Sequence, residues 1–194
     1  MLDWLKINKE YPEFWKSYLR KFDHKPNRFV ALSTETTGLD PENDALISIG
    51  AVALENDKII VKDSFYISIY QENPEIAVKS GILNSDGQKI SEPEAISAFI
   101  GYLGNAILVG HRIHFDIEMI NRALDRMQVG KLRNEALDIE VMYQKWKQLL
   151  EDRQFTLAEL AASFKMQNNE RHTASDDAYT ISLLFLRLKH RLKL

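Results

Sequence analysis

Residues 29–40, FVALSTETTGLD, end a strand-like run in Ser33-Thr34-Glu35. Side chains alternate along a strand, so Phe29, Ala31, Ser33 and Glu35 share one side. Two acids spaced this way aim hard oxygen ligands at one point, which suits a divalent cation. Here Glu35 is the acid, and Ser33 offers a neutral hydroxyl, a poor ligand for magnesium. A lone Glu at a strand end is otherwise a solvated residue. Thr36-Thr37-Gly38 follow directly, and glycine permits close approach of a ligand. Exposed N–H groups in this turn would hold a phosphate or a terminal nucleotide; a plain turn is the alternative.

Two further acids sit where apolar residues are expected. In VGHRIHFDIEMI (109–120), Asp116 lies on a line with Ile120, Ala123 and Met127 at helical spacing. It is either a helix cap acting on the dipole or a group aimed inward for chemistry. In RHTASDDAYTISLLFL (171–186), Asp177 extends the stripe of Ile181, Leu184 and Leu188, while Asp176 is turned about 100° away, toward solvent. His172 precedes Asp177 by five residues. An imidazole there, with an ordinary pKa of about 6.5, is suited to take a proton from water. A lone histidine is more often an ordinary surface or core residue.

The elements that must position these groups are legible in outline. RFVALSTE, ALISIGAVAL and KIIVKDSFYISI read as successive strands, with Asn56-Asp57 as a hairpin turn, predicting an antiparallel meander. The pattern then turns helical. Ser91 with Glu94 is a capping box before AISAFIGYL, and Thr156 with Glu159 is another before LAELAASF. AILVG (106–110) reads as a short buried strand. FDIEMINRALDRM, residues 138–150 and the stretch from Ala174 to the end read as helices. Near the start, Tyr11, Trp15, Tyr18 and Phe22 make a helical stripe, with Pro12 suited to a first turn. That predicts an N-terminal helical extension over 1–26, packed on a domain over 27–194 or presenting a docking surface.

Composition bounds the rest. A chain of 194 residues, 45% hydrophobic and 27% charged, fits one α/β domain with a small extension. The net charge of −3 marks no general nucleic-acid glove, although a nuclease working through carboxylates does not need one. There is no Cys, so disulfides and thiolate zinc sites are excluded, and a cytoplasmic setting is allowed. No apolar run is long enough to span a membrane, and the start has no signal-peptide core. Gly-rich Walker, GxSxG and HExxH patterns are all missing, which removes support for NTPase, serine hydrolase and zincin readings.

STETTG, HRIHFD and HTASDD occur in this order, on strand, helix and helix. With ETTGLD…ISIGAV, this resembles the DnaQ-like (DEDDh) 3′–5′ exonucleases, the family of the epsilon proofreading subunit of bacterial DNA polymerase III. The resemblance spans about residues 27–190. It implies a ribonuclease-H-like α/β fold: a mixed five-stranded sheet, antiparallel in its first three strands, with helices on both sides. It implies stepwise removal of nucleotides from single-stranded DNA or RNA 3′ ends, with Mg2+ or Mn2+ as cofactor in a pair of ions about 3.5–4 Å apart. Glu35, Asp116 and Asp177 match metal-ligand positions, and His172 matches the general base. Thr36, Thr37, Gly38 and Leu39 match the loop that holds the terminal nucleotide, with Phe115 beside it. A DNA polymerase subunit is the implied protein partner, through the N-terminal helices or another surface.

The departures from the family pattern are specific. Ser33 stands at the position of the first family Asp, Arg112 where Asn is usual, and Ser80 where many members have His. With Ser33 the ligand set lacks one negative charge and one bridging group, so the second metal is expected to bind weakly. Arg112 would bring a positive charge near the phosphate. The alternative is a catalytically silent domain that binds a nucleic-acid end or a polymerase.

Overall fold

The computed structural model describes residues 10–70, 90–149, 153–166 and 173–194. His172 and Ser80 lie outside these described residues.

Strands β1 (Phe29–Thr36), β2 (Leu46–Glu55) and β3 (Lys58–Ser68) form the expected meander. Asn56 and Asp57 both take left-handed backbone angles, φ 49 and 58, as a two-residue hairpin turn requires. Helix α1 (Glu13–Lys21) precedes the sheet. After the meander comes helix α2 (Glu92–Leu103), then β4 (Ile107–Gly110) and helix α3 (Ile113–Arg126). A short strand β5 (Ala136–Asp138) leads directly into α4 (Ile139–Lys147). Helices α5 (Leu157–Ser163) and α6 (Ala174–Leu192) follow. The sheet order is β3-β2-β1-β4-β5. β1 pairs antiparallel with β2 and parallel with β4, and β5 adds in parallel beyond it. Both predicted capping boxes form. The Ser91 N–H donates to Glu94 Oε2 at 3.1 Å, and the Thr156 N–H donates to Glu159 Oε2 at 2.8 Å.

The pleat of β1 divides the core into two layers. Val30 and Leu32 pack with Phe99, Met119, Ile120 and Leu124 from α2 and α3. Ala31 faces the other way, toward Ile139, Tyr143, Ile181 and Leu184 from α4 and α6. β2 is buried on both faces along nearly its whole length, and β4 is buried from Leu108 to Gly110. Such central strands read as continuous apolar runs.

The aromatic stripe of α1 turns inward. Trp15 and Tyr18 are each 2% exposed and belong to the same cluster as α2 and α3. The Tyr18 hydroxyl donates to Asn134 Oδ1 and accepts the Arg133 N–H, both at 2.7 Å. Burial pushes its phenol up to about 12. No helix among the described residues is long and apolar enough to cross a membrane.

Candidate active site

The last residues of β1 lie between the first turns of two helices, one on each side of the sheet. On the α6 side, Ser33 pairs in register with Gly50 and Glu35 with Ser48. The Ser48 hydroxyl, on a residue 1% exposed, donates to Glu35 Oε2. A methyl group placed on Gly50 would lie 2.3 Å from the Ala174 carbonyl carbon. Only a residue without a side chain lets the first turn of α6 rest on the strand here. Because directly paired residues share a face, Ser33 and Glu35 look toward this turn, which carries Asp177. Thr173 caps the helix: the Asp176 N–H donates to its hydroxyl at 3.2 Å, and the hydroxyl donates to Asp176 Oδ2 at 2.7 Å. Asp176 is therefore spent on the cap. Asp177 is half-buried above the apolar stripe of Ile181, Leu184 and Leu188, as the helical spacing predicts.

On the opposite side, Asp116 in the first turn of α3 is 7% exposed. Its Oδ1 accepts both the Thr34 N–H at 2.8 Å and the Thr34 hydroxyl at 2.7 Å. This carboxyl thus grips the strand at the residue between Ser33 and Glu35. Burial pushes it up to about 7, the two Thr34 hydrogen bonds pull it back, and the charge of Asp138 adds to the rise. Asp138 also sets the helix. Its Oδ2 accepts the Ile113 N–H at 3.1 Å and its Oδ1 accepts the Glu140 N–H at 2.8 Å, so one carboxylate caps both α3 and α4.

The raised value has a measurable consequence. Between the ordinary 3.8 and about 7, the folded protein holds a proton at Asp116 that the unfolded chain has released. The associated stability is fully present below the lower value and is lost as pH rises through the upper one. In chelator, the unfolding free energy should fall across this window by an amount on the order of a few kcal/mol. Asp116→Asn should flatten the fall. Urea midpoints taken at several pH values test this, and an unchanged slope in the variant would assign the dependence to another group.

The loop after β1 is pinned from beneath. Asp44 accepts the Thr37 hydroxyl at 2.7 Å and the Asp40 N–H at 2.8 Å, and the Thr37 hydroxyl accepts the Ala45 N–H at 3.0 Å. A methyl on Gly38 would lie 2.5 Å from Asp44 Oδ2, so glycine lets the loop close on this carboxylate. Thr36 donates its hydroxyl to the Gly38 carbonyl at 2.6 Å. At the tip, Leu39 is 86% exposed, an apolar side chain held out on a constrained turn. Phe115 is half-buried against the core next to Asp116.

Arg112 is engaged elsewhere than the sequence suggests. Its backbone is left-handed, and its Nε donates to Glu140 Oε2 at 3.1 Å. Glu140 is 7% exposed and also accepts the Phe155 N–H. The guanidinium is thus paired with Glu140 through Nε while its side chain stays about half exposed.

Glu35, Asp116 and Asp177 thus surround one strand end, and the donors are hard oxygens suited to magnesium or manganese. In this structure two of the three are engaged within the protein, Glu35 with Ser48 and Asp116 with Thr34. Among the described residues no three His, Asp or Glu side chains come together closely enough to hold a metal. The residues that sequence reasoning passed over are the supports: Thr34, Ser48, Gly50, Asp44 and Asp138. A glycine inside a strand pattern and an Asp just before a helical run are the signals that point to two of them.

The exonuclease (RNase_T) family model matches residues 30–185. A DNA polymerase III subunit epsilon from Treponema pallidum is 32% identical over 165 residues, covering 84% of this chain and 76% of that protein. A PolC-type DNA polymerase III from Thermotoga petrophila is 28% identical over 170 residues, which cover 85% of this chain but 12% of the polymerase. The crystal structure of exonuclease I in complex with an inhibitor superposes with a TM-score of 0.69 at 16% identity, over 88% of this chain and 42% of that one. That likeness establishes the ribonuclease-H-like fold, and the chain spans less than half of exonuclease I. With the family model matched along most of its length, the chain belongs to the exonuclease family, on the DnaQ-like side that includes the polymerase III epsilon subunits.

Proposed function

We propose that this chain is a 3′–5′ exonuclease of single-stranded 3′ ends, working with Mg2+ or Mn2+ and slowed by Ser33. The observation that carries the reading is the convergence at the end of β1. Asp116 grips Thr34 from one side, and the first turn of α6, with Asp177, rests on Gly50 from the other. Glu35 lies between them. In this reading Glu35, Asp116 and Asp177 are the available metal ligands, and the second ion is weakly held because position 33 supplies no charge. When bound, the ions would polarise the scissile phosphate. The protein's own groups do the rest. The loop of Thr36, Thr37 and Gly38 presents backbone donors to the terminal nucleotide, the exposed Leu39 packs against its base, and Phe115 backs the site. His172 takes the proton of the attacking water. Exonuclease I has been observed with a dT13 oligonucleotide, which supports a single strand as the substrate class. The epsilon-named relatives support a polymerase subunit as partner.

The experiment is digestion of a 5′-labelled single-stranded oligonucleotide in magnesium and in manganese. Laddering from the 3′ end is expected, stronger in manganese, with a loss of about 10²–10⁴-fold in His172→Ala, the usual contribution of a positioned general base. Laddering that survives in His172→Ala would remove that residue from the mechanism. A second reading, a silent domain that binds a nucleic-acid end, is favoured by the engagement of Glu35 with Ser48 and of Asp116 with Thr34. Binding without cleavage in either metal selects it.

A further inference from the structure

A second feature lies at the far end of α6. The chain carries a net negative charge, yet after Asp177 it contains no acid, and Arg187, Lys189, Arg191 and Lys193 crowd its last turns. Cations at a helix C-terminus are accounted for by the dipole alone. The dipole also accounts for Lys147 in the last turn of α4 and Lys165 just past α5, but it does not account for the ends of three helices bringing their cations to one place. Trp146, Phe164, Lys165, Arg187, His190 and Arg191 line an open groove there of about 470 Å³. Lys147 joins it by lying over the Trp146 ring.

The cations are held in position. Trp146 and Phe164 stack with centroids 5.3 Å apart and planes at 23°. Lys147 Nζ sits 4.2 Å from the Trp146 ring centre, and the Arg191 guanidinium sits 5.5 Å from it. Arg187 is fixed by donating to the Phe164 carbonyl at 2.6 Å. Several arginines elsewhere on the surface pair with acids, as Arg126 does with Glu92 and Arg122 with Glu42. Among the described residues none of Lys147, Lys165, Arg187 and Arg191 is paired with a carboxylate. Cations with no carboxylate partner among the described residues, three of them held against aromatic rings, around an open groove, form a receptor for a chain of anions.

We propose that this groove is a second binding site, for the phosphodiester backbone of a single strand whose 3′ end lies at the β1 site. The identity of the ligand rests on the exonuclease reading; the site itself rests on the charge and geometry of the groove. Nucleic acid is favoured over an acidic peptide because the two sites mark the two ends of one helix. Asp177 and Arg191 are separated by roughly 20 Å of helix rise at about 1.5 Å per residue. About six nucleotides of a strand stacked as in B-form DNA, at roughly 3.4 Å of rise per phosphate, cover that span, and fewer suffice for an extended strand. A strand held at both ends is less free to leave between cuts.

The test is fluorescence anisotropy in chelator, with labelled oligothymidylates of three and fifteen nucleotides. The wild-type protein should bind the longer one more tightly. Arg187→Glu with Arg191→Glu should lower affinity for the longer oligonucleotide at least about tenfold. It should also reduce the salt slope by about 1.4, at about 0.7 for each phosphate that is no longer neutralised. Lys147→Ala with Lys165→Ala, both on exposed side chains, should shift binding in the same direction by a smaller factor. No binding of the longer oligonucleotide, or affinity unchanged by both double substitutions, would overturn the site. So would a polyglutamate peptide that occupies the groove more tightly than the oligonucleotide. Digestion in manganese reports on the exonuclease reading separately: laddering with no effect of the substitutions on binding defeats the groove alone, and length-dependent binding without laddering defeats the catalytic reading alone.

Discussion

Replacing Ser33 by aspartate is expected to raise magnesium-dependent digestion of a single strand by about 10²–10³-fold, the factor usually attached to one preorganised group that stabilises the transition state. Ser33 is half-buried and faces the first turn of α6, on the same side of β1 as Glu35. A carboxylate there adds a hard oxygen ligand and the missing negative charge where Glu35 and Asp177 already face. Without metal, the added acid stands close to Glu35 and should cost stability through like-charge repulsion. With metal, that cost reverses. The stability of Ser33→Asp should therefore rise with added magnesium, by about 2.7 kcal/mol at a hundredfold excess over the dissociation constant. The native chain should show a weaker response. Calorimetry and gel laddering read these effects independently. If the variant neither cuts nor responds to magnesium, the defect extends beyond residue 33.

Gly50→Ala should be among the most damaging single-methyl additions in the molecule. The new carbon would stand 2.3 Å from the Ala174 carbonyl carbon, 2.4 Å from its oxygen and 2.5 Å from the Ser175 nitrogen. All three are backbone atoms of the first turn of α6, so no side-chain rotation relieves the contact. Either the helix start lifts off the sheet or β2 bends away from it. Overpacking of this kind costs about 1–3 kcal/mol or more. For a chain of this size that lowers the melting temperature by roughly 2–4 °C per kcal/mol. The same displacement carries Asp177 away from Glu35, so activity should fall further than stability does. Gly101→Ala is the internal control. It lies inside α2 with nothing within 4 Å of the added methyl, so helix propensity should make it neutral or slightly stabilising. Equal melting temperatures for the two variants would show that α6 sits less tightly on the strand than these distances require.

The periodicities carry much of the architecture. Alternation in β1 separates Val30 and Leu32 from Ala31, and the two layers of the core follow that division. The stripes through Asp116 and Asp177 place both acids on the sheet-facing sides of their helices, because a helix repeats every 3.6 residues whatever it packs against. The capping boxes at Ser91 and Thr156 are local hydrogen-bond chemistry and form as their spacing requires. Strand β5 is not legible from its own residues. Ala136–Asp138 is too short to show a period, and it is a strand because β4 offers it a partner. The aromatic stripe of α1 shows a helix face without showing what covers it. Its burial against α2 and α3 is a property of the assembled core.

At the site the division is sharper. The order of residues settles which chemical groups are available: an acid at 35, acids at 116 and 177, and a hydroxyl at 33. Through strand and helix periods it also settles that these fall at the ends of three elements. How their charges are used depends on the packing. Thr34 turns Asp116 toward the strand and Ser48 holds Glu35, while Glu140 pairs with Arg112 and Gly50 sets the height of α6. Most of these partners lie far apart along the chain. Hydrogen bonds and close contacts between such positions form only when whole elements come together, which no local pattern encodes.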